Sequence, residues 1–355
     1  MATKQAVPPL RLAQVMLSKG FGGAERLFVD LCQALSGQGV QVLAVCHRDF
    51  VKRRQIEGLP GVEVASIRVR GPWDPWARWR LRAQLRQFQP SVIHCHLARG
   101  AWFCGPAARA LGIPLAANLH NYVKLKYYRD VDLFLPGTLD QRRYLEIHHV
   151  AAQRIEVIPH FSLLPAVEHA TEPAGPALVF VSLGRLVHKK GFDVLLAAFR
   201  KLLDRGCEAR LLIGGSGPEQ DGLRRQARDL RLENTVSFEG WIEDVPGFLS
   251  RGHVFVLPSR DEPFGIVALE AMACGKPIVS TRCRGPMEVL NDNLAYLADP
   301  GDPSSLTRAM SAAAADHDER SRKGQQALNR YRDTYSADAV IPRFLTAYRR
   351  LAAGS

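Results

Sequence analysis

The sequence lacks most of the features that mark secreted, membrane-spanning or zinc-binding proteins. Its 355 residues contain no Cys-x-x-Cys pair, and the seven cysteines are odd in number and lie mainly in apolar or helical stretches. The N-terminus, MATKQAVPPL, has no apolar signal core, and no run of about 18 apolar residues occurs. We therefore expect a cytoplasmic protein with reduced, buried cysteines and no membrane-spanning segment.

A dinucleotide-binding fingerprint is also missing. The first predicted strand, 11–17, leads through the turn SKGFGG to a predicted helix, 24–35, but the turn is not G-x-G-x-x-G. No acidic residue ends the next strand, 40–46, where a ribose ligand would stand. These absences weigh against an NAD dehydrogenase. Gly22 and Gly23 can nevertheless bring backbone N–H groups close to a diphosphate or sugar, because glycine has no Cβ.

Short apolar strands alternate with helices along the chain, which predicts α/β domains with parallel sheets. At roughly 150 residues per domain, the length favours two domains. A stretch with three prolines, Leu164 to Pro176, is the predicted linker. We therefore predict domains at 1–165 and 166–335, followed by a terminal helix within 336–355.

The stretch VFVLPSRDEPFGIVALEAMACGKPIVST, residues 254–281, reads as strand, loop, helix and strand. A loop between a strand end and a helix start is where open α/β sheets bind ligands, and the helix start suits phosphate. Glu262 and Glu270 have a Glu-x7-Glu spacing, and carboxylates accept hydrogen bonds from sugar hydroxyls. The combination suggests a nucleotide-sugar site. The alternative is a solvated loop acid and an exposed helix residue.

The loop GRLVHKKG, residues 184–191, follows another predicted strand, 178–183. Arg185 stands at the strand end and Lys190 at the start of the next helix, so the two cations could grip a diphosphate. Such a pair would stabilise negative charge that develops on a departing diphosphate. The alternative is a turn of solvated basic residues.

The net charge of +12 is unevenly distributed. Residues 1–165 hold 22 Lys and Arg against 11 Asp and Glu, whereas the remainder is nearly balanced. This excess favours an anionic partner for the N-terminal half, such as lipid headgroups, a phosphorylated acceptor or nucleic acid. The alternative is an ordinary soluble surface that happens to be basic.

Three tryptophans, Trp73, Trp76 and Trp79, recur every three residues within the arginine-rich stretch 68–86. Tryptophan and arginine on one amphipathic helix are typical of a segment that lies in a membrane interface. The pattern also fits a helix whose tryptophans are buried against the sheet, and both interpretations stay open. Nucleic-acid binding is a third alternative, but no recognised motif accompanies the charge, so we expect no nucleic-acid partner.

A His-x-His pair ends the strand that follows Pro90. We expect His94 and His96 to face opposite sides of this strand, so that only one of them can be a site residue. No carboxylate or cysteine cluster completes a metal site, and we predict no metal. A structural hydrogen-bonding role is the alternative to ligand binding. His120, at the end of the next predicted strand, is a secondary candidate.

These motifs resemble the retaining glycosyltransferases of family four, also called group 1, which have the GT-B fold. The resemblance rests on the Glu-x7-Glu pair, the small-residue helix and Gly-Lys-Pro turn after it, and the G-R-x-x-x-x-K-G loop. It covers nearly the whole chain and is strongest from 178 to 288. Two positions depart from the family pattern: His160 replaces the Asn of V-I-P-N, and Arg284 replaces a glycine.

The resemblance implies an α/β protein of two Rossmann-like, doubly wound domains facing each other across a cleft, with the terminal helix crossing back to the first domain. It implies transfer of a sugar from a nucleoside-diphosphate sugar to an acceptor hydroxyl with retention. The implied catalytic residues are Glu262, His96, Arg185 and Lys190. The implied donor-binding residues are Gly22, Gly23, Arg185, Lys190, Gly214, Gly215, Trp241, Ile242, Glu262, Phe264, Gly265, Ile266 and Glu270.

We expect no metal and no cofactor besides the substrate, for which a UDP-sugar is the first candidate. The acceptor would be a sugar or a lipid-linked sugar in cell-surface polysaccharide, lipopolysaccharide or glycolipid synthesis. An anionic membrane surface is a further candidate partner, with the enzyme peripheral at the inner face. A nucleotide-sugar epimerase of related fold and a non-catalytic sugar-nucleotide-binding protein are the alternatives.

Overall fold

The computed structural model describes residues 10–20, 22–173 and 177–354. Within them the chain forms two compact units, each with one six-stranded sheet. The first unit comprises the residues up to Leu163 together with those from Val340 onward, and the second comprises Leu164–Ala339. The predicted linker starts at the first residue of the second unit, and its last three residues lie outside the described ranges.

Six parallel strands form the sheet of the first unit in the order β3-β2-β1-β4-β5-β6. The strands are β1 Arg11–Met16, β2 Gln41–His47, β3 Val62–Ile67, β4 Val92–His96, β5 Leu115–Leu119 and β6 Leu133–Pro136. The helices are α1 Gly23–Gly37, α2 Pro75–Phe88, α3 Leu97–Leu111 and α4 Leu139–Ile147. Strands β1, β4 and β5 are buried along almost their whole length, as expected when helices cover both faces of a parallel sheet.

The second sheet has the order β12-β11-β10-β7-β8-β9. Its strands are β7 Leu178–Leu183, β8 Ala209–Gly214, β9 Val236–Gly240, β10 Val254–Leu257, β11 Ile278–Thr281 and β12 Ala295–Ala298. Its helices are α5 Phe192–Asp204, α6 Gln220–Asp229, α7 Val245–Ser250, α8 Ile266–Ala273, α9 Arg284–Val289, α10 Pro303–Ala315 and α11 His317–Arg330. The final helix, α12 Ala337–Ala353, belongs to the first unit from Val340 onward.

Both sheets have the doubly wound topology, in which the strand order reverses next to the first strand of the unit. The reversal falls between β1 and β4 in the first sheet and between β7 and β10 in the second. At such a point the loops leave the two neighbouring strands toward opposite faces, and a crevice opens at the carboxyl ends of the strands. This topology confirms the predicted pair of doubly wound α/β domains and locates the crevice within each.

Most predicted elements agree with the structure to within a few residues, and the larger errors have local causes. Helix α11 starts at His317, three residues before the predicted start at Arg320, because Asp316 caps it by accepting from Glu319 N–H at 3.0 Å. The segment HDER carries no apolar period that could have indicated this turn of helix. Helix α3 likewise starts at Leu97, whereas the sequence pattern predicts a helix only from Ala101 to Leu111.

The cysteines are as the sequence predicts. All seven lie in the described residues, six of them are buried, and none is disulfide-bonded. None of the helices in the described ranges combines the length and apolar character needed to cross a bilayer.

Gly191, which ends the turn after β7, lies against the loop that follows β10. Its φ is +67°, and a Cβ built on it would stand 2.1 Å from the carbonyl oxygen of Pro258. Gly206 has a comparable φ of +83°, but open space surrounds its Cβ position. Both glycines therefore have a positive φ, but only at Gly191 would an added Cβ meet another part of the chain.

We predict that Gly191→Ala lowers the free energy of unfolding clearly more than Gly206→Ala does. The control substitution carries only the backbone strain, about 1–3 kcal/mol, whereas Gly191→Ala must also push the two loops apart. Chemical denaturation of the two variants and the parent protein measures the difference. Equal losses would show that the close approach to Pro258 contributes nothing to stability.

Candidate functional site

An ion pair lies at the crevice of the second sheet. Lys190 Nζ, from the loop after β7, donates a hydrogen bond to Glu262 Oε2, from the loop after β10. Their side chains are only 18% and 9% exposed, so the contact is largely removed from bulk water. Ser259 Oγ donates to the same carboxylate oxygen at 3.5 Å. Two residues predicted from separate motifs therefore meet at the point where the strand order reverses.

A second, bidentate ion pair holds the same two loops together. Arg260 Nη1 and Nη2 donate to the two carboxylate oxygens of Asp193 at 2.5 and 2.6 Å, and Arg260 N–H donates to the Lys189 carbonyl at 2.8 Å. Burial alone would raise the pKa of Asp193, but the hydrogen bonds and charge of Arg260 outweigh it and lower this pKa. The pair therefore stays ionised at neutral pH and fixes the backbone on both sides of Lys190 and Glu262.

The sequence does not mark Arg260 and Asp193 as functional positions. Asp193 reads as an ordinary acid in the first turn of α5, and Arg260 reads as one more loop cation. They are separated by 67 residues, so no local spacing connects them. A usable signal existed only in their positions, since Arg260 lies inside the stretch 254–281 and Asp193 lies two residues after the loop 184–191.

The predicted nucleotide loops form a second cluster around glycines. Gly214, which ends β8, accepts a hydrogen bond from Gly184 N–H at 3.1 Å, and Gly215 donates to the Gly240 carbonyl at 2.6 Å. A Cβ on Gly215 would stand 1.9 Å from the Gly184 carbonyl oxygen, and a Cβ on Gly214 would stand 2.7 Å from Ile242. These contacts bring the ends of β7, β8 and β9 together.

The residues next to this glycine cluster differ in exposure. Trp241 follows β9 and is 59% exposed, so much of its surface faces solvent. Arg185 follows β7 and is exposed, and among the described residues its guanidinium forms no hydrogen bond or ion pair. An accessible, uncommitted guanidinium is suited to receive an anionic ligand.

The loop 262–266 and the helix α8 carry the remaining predicted residues. Gly265 precedes α8 with a φ of +91°, Phe264 is buried, and Ile266 is half-buried. Glu270 lies on α8 and is only 1% exposed. Gly285 N–H donates to the Glu262 carbonyl at 3.1 Å, and a Cβ on Gly285 would stand 2.4 Å from Phe264 N. Arg284 stands where the family has a glycine. The next residue, Gly285, nevertheless packs closely against the backbone of Phe264.

A buried polar network lies at the carboxyl ends of β1, β4 and β5 in the first unit. His94 and His96 on β4, Gln14 on β1 and Tyr348 on α12 are all buried, and His120 after β5 is half-buried. The expectation that His94 and His96 face opposite sides of the strand was wrong. Residues two apart share a face of a strand, and the two imidazole rings are 4.5 Å apart.

The donor and the acceptor of each hydrogen bond in this network can be assigned from the atoms involved. The Gln14 amide oxygen faces His96 Nε2 at 3.1 Å, so Nε2 donates, and a neutral His96 then accepts from His120 Nε2 at Nδ1, also at 3.1 Å. Gln14 Nε2 donates to the Tyr348 hydroxyl at 3.3 Å, and that hydroxyl donates to His94 Nδ1 at 2.7 Å. The Nε2 hydrogen of His120 therefore points inward, and its Nδ1 is left as an acceptor.

The burial and hydrogen bonding of His96 bear on its predicted role. Its ring is fully buried and both nitrogens are already bonded within the protein, so it has no nitrogen left for a ligand in this arrangement. His120, the secondary candidate, is the more exposed member of the pair. The position of His96 is that of a residue that orients His120.

A carboxylate of the protein itself lies at the glycine-rich turn after β1. Glu25 on α1 accepts from Gly22 N–H at 3.0 Å and from the Ser18 hydroxyl at 2.5 Å, so a carboxylate already occupies this helix start. Gly22 and Gly23 are both exposed. A second anion such as a diphosphate would be repelled there, whereas sugar hydroxyls would not. Phe21 lies outside the described residues.

No three of the described His, Cys, Asp and Glu side chains come together in a way that could hold a metal ion. Metal independence stays a prediction.

Comparison with known proteins identifies the family. A family model described as "Glycosyl transferases group 1" matches residues 168–330, and one described as "Glycosyltransferase Family 4" matches residues 21–161. The lipopolysaccharide core biosynthesis glycosyltransferase LpsD of Rhizobium meliloti is 30% identical over 336 residues, which cover 93% of this chain and 95% of LpsD. LpsE of the same organism is 31% identical, covering 91% of this chain and 95% of LpsE.

Among solved structures, HepE of Anabaena in complex with UDP and glucose superposes with a TM-score of 0.78 at 18% identity, covering 95% of this chain and 99% of that one. Two Rossmann-like units of this kind are the architecture of the GT-B glycosyltransferases. The chain belongs to the group 1 family of glycosyltransferases, as the sequence motifs indicated.

The buried histidines of the first unit predict a stability that depends on pH. Burial lowers the pKa of His94 to about 3 and that of His160 to about 4, and it holds the pKa of His96 and His120 well below the ordinary value. In the unfolded chain these groups bind protons below a pH of about 6.5. The unfolded state therefore binds more protons than the folded state between that pH and about 4.

We predict that the free energy of unfolding falls as the pH is lowered from about 6.5 to about 4, by up to about 1.4 kcal/mol per pH unit for each such histidine. His160→Asn, which restores the family residue, should make the slope shallower. His149→Asn is the matched control, because His149 is exposed and its φ of +63° suits asparagine. Denaturant titrations across this pH range measure the slopes, and identical slopes in both variants would contradict the prediction.

Proposed function

We propose that the protein transfers a sugar from a nucleoside-diphosphate sugar to an acceptor hydroxyl with retention of the anomeric configuration and without a metal ion. The observation that carries this proposal is the contact between Lys190 and Glu262 at the crevice of the second sheet. It brings together one group suited to phosphate and one suited to sugar hydroxyls. Arg185, exposed in the same connection between β7 and α5, adds a second cation.

In the reaction, the bond between the anomeric carbon and the diphosphate oxygen breaks, and negative charge grows on the departing diphosphate. Lys190 and Arg185 stabilise that charge in place of a metal ion, because preorganised cations act most strongly where charge develops. Glu262 accepts hydrogen bonds from sugar hydroxyls and stabilises the positive charge at the anomeric carbon. The acceptor oxygen forms the new bond to the anomeric carbon on the face that the diphosphate leaves, and its proton goes to a donor phosphate oxygen.

The nucleoside lies against the glycine cluster in this proposal. Gly214 and Gly215 let the backbone approach it, Trp241 and Ile242 hold the base, and Glu270 binds the ribose. Phe264, Gly265 and Ile266 add the N-terminal end of α8 to the diphosphate contacts. HepE, which shares the fold, contains UDP and glucose, and this supports a UDP-sugar as the first donor to test.

The first unit serves the sugar and the acceptor. His120 Nδ1 accepts from a hydroxyl, and His96 keeps the ring oriented through the chain of hydrogen bonds to Tyr348. Gly22 and Gly23 offer exposed backbone on the same edge of the sheet. The carboxylate of Glu25 at this helix start favours neutral sugar over a second diphosphate there.

The acceptor in this proposal is a lipopolysaccharide core sugar or a related lipid-linked sugar. LpsD and LpsE are named as lipopolysaccharide core biosynthesis glycosyltransferases and match almost the whole chain. The basic charge of residues 1–165 suits an acceptor that carries phosphate or lies in an anionic membrane. The buried free cysteines are consistent with action in the reducing cytoplasm, at the inner face of the membrane.

The reaction itself is tested by donor screening and product analysis. We expect UDP-sugars to raise the melting temperature more than GDP- or ADP-sugars do, because binding to the folded state alone stabilises it. With a lipopolysaccharide core acceptor, proton NMR of the first product formed should show the donor's anomeric configuration. An inverted product would contradict retention. A changed sugar nucleotide formed without any acceptor would indicate an epimerase instead.

Substitution of Arg185 separates its role in the reaction from any role in folding. Arg185→Ala should lower kcat by about 10²–10³, the usual cost of losing one donor to developing charge, while the melting temperature stays unchanged. The stability should not change because the guanidinium has no partner among the described residues. Arg205→Ala, at an exposed position after α5, is the matched control and should leave both quantities unchanged. Full activity in Arg185→Ala would remove this residue from the mechanism.

A further inference from the structure

Three exposed tryptophans recur every three residues on the first unit, and we call them the tryptophan face: Trp73, Trp76 and Trp79. They are 75%, 71% and 64% exposed. Trp76 and Trp79 lie on α2, which packs against the core through the opposite stripe of Ala77, Leu81, Leu85 and Phe88. The core therefore takes none of the three indoles, and the interpretation that they are buried against the sheet was wrong.

Trp73 is held in place rather than free to turn inward. It precedes α2, and its ring contacts the Trp102 ring edge-on at 5.5 Å. Trp102 Nε1 donates to the Pro72 carbonyl at 2.9 Å, and the Arg78 guanidinium lies over the Trp73 and Trp102 rings at 5.9 and 5.3 Å. The loop before α2 therefore presents a fixed aromatic ring to the outside.

The stretch that carries the tryptophan face is strongly basic. Residues 68–86 contain six arginines and a single acid, Asp74. Asp74 is committed to capping α2: its carboxylate accepts from Ala77 N–H at 3.0 Å and from Arg70 N–H at 2.9 Å. No acid of the stretch is therefore left to neutralise the arginines.

Three of these arginines share the outer side of α2 with the tryptophans. Arg82 and Arg86 follow Trp79 at helical spacings of three and seven residues, and Arg80 follows Trp76 by four. All three are exposed, and in the described part of the chain none of their guanidinium groups is paired with a carboxylate. Indoles and unpaired guanidinium groups therefore alternate on one surface.

We propose that the tryptophan face and Arg80, Arg82 and Arg86 bind the surface of an anionic phospholipid bilayer. The indoles enter the boundary between headgroups and acyl chains, where an aromatic ring with one polar edge is most stable. The guanidinium groups pair with headgroup phosphates, for which their fork geometry suits them. This surface deepens the proposed function, since it rests on the proposal that the acceptor is lipid-linked.

Charge complementarity favours a bilayer over a protein partner. A surface made of exposed indoles and uncompensated arginines matches a continuous sheet of phosphates, whereas a protein partner would need both an apolar socket and an acidic rim. Binding to a bilayer needs no fixed pairing of individual groups, so the three arginines can be spread over the outer side of the helix. We therefore commit to an anionic bilayer and treat a second copy of this chain as an outcome of the test.

The test is co-sedimentation of the full-length protein with vesicles of phosphatidylcholine alone or mixed with phosphatidylglycerol. We expect binding to the mixed vesicles that weakens as salt is added, because salt screens the arginines. Trp76→Ala/Trp79→Ala should reduce partitioning at least about tenfold, and Arg80→Gln/Arg82→Gln/Arg86→Gln by a similar factor. The control Arg225→Gln/Arg228→Gln, on the exposed face of α6, removes two charges without tryptophan and should bind normally.

Several outcomes would overturn the proposal: no vesicle binding by the parent protein, equal binding by the tryptophan variant, or equal loss in the α6 control. A dimer that the tryptophan variant abolishes, without any vesicle binding, would assign the surface to a second copy of this chain. Donor binding, followed by the melting-temperature shift with UDP-sugars, should be unchanged in the tryptophan variant. If UDP-sugars shift the melting temperature of neither the parent protein nor the variants, but the parent protein still binds vesicles, the donor proposal fails and the proposal of a membrane-binding surface is kept.

Discussion

One largely buried ion pair, Lys190 with Glu262, holds the candidate site together. A buried charge is costly unless it is paired, so each residue constrains the other and the loops that carry them. In the proposed reaction, a donor diphosphate that binds Lys190 would weaken the contact between Lys190 and Glu262. Sugar hydroxyls of the same donor would replace that contact by donating to the carboxylate, so the whole donor would bind better than its diphosphate alone.

The two sheets have the same strand order, yet their crevices are lined by different chemistry. In the second sheet, cations and carboxylates stand next to close-packed glycine backbones, which suits a charged, flat ligand such as a sugar nucleotide. In the first sheet, neutral histidines, an amide and a phenol form a directed set of hydrogen bonds, which suits uncharged hydroxyls. The shared topology therefore places a crevice at the same point of each sheet. The residues of the loops then make one crevice suited to charged groups and the other to hydroxyls.

Much of the fold was predictable because its signals are local. Apolar strands, glycine turns and capped helices occur in the expected order, and the motifs around Arg185, Lys190 and Glu262 each fall at a strand end. Contacts across the fold were not predictable: the Tyr348 hydroxyl bonds His94 from 254 residues away, and no spacing connects them. The exposure of Trp76 was available from the sequence, because it lies off the apolar stripe of α2.

The most direct test of the central claim compares the affinities of UDP and UMP in the parent protein and in Arg185→Ala by calorimetry. Arg185 suits this better than Lys190, whose removal would leave Glu262 buried and unpaired. The account predicts that UDP loses about tenfold or more in affinity, as expected for one charge-assisted contact, while UMP is nearly unaffected. An unchanged ratio of the two affinities would contradict the claim that this crevice grips the diphosphate.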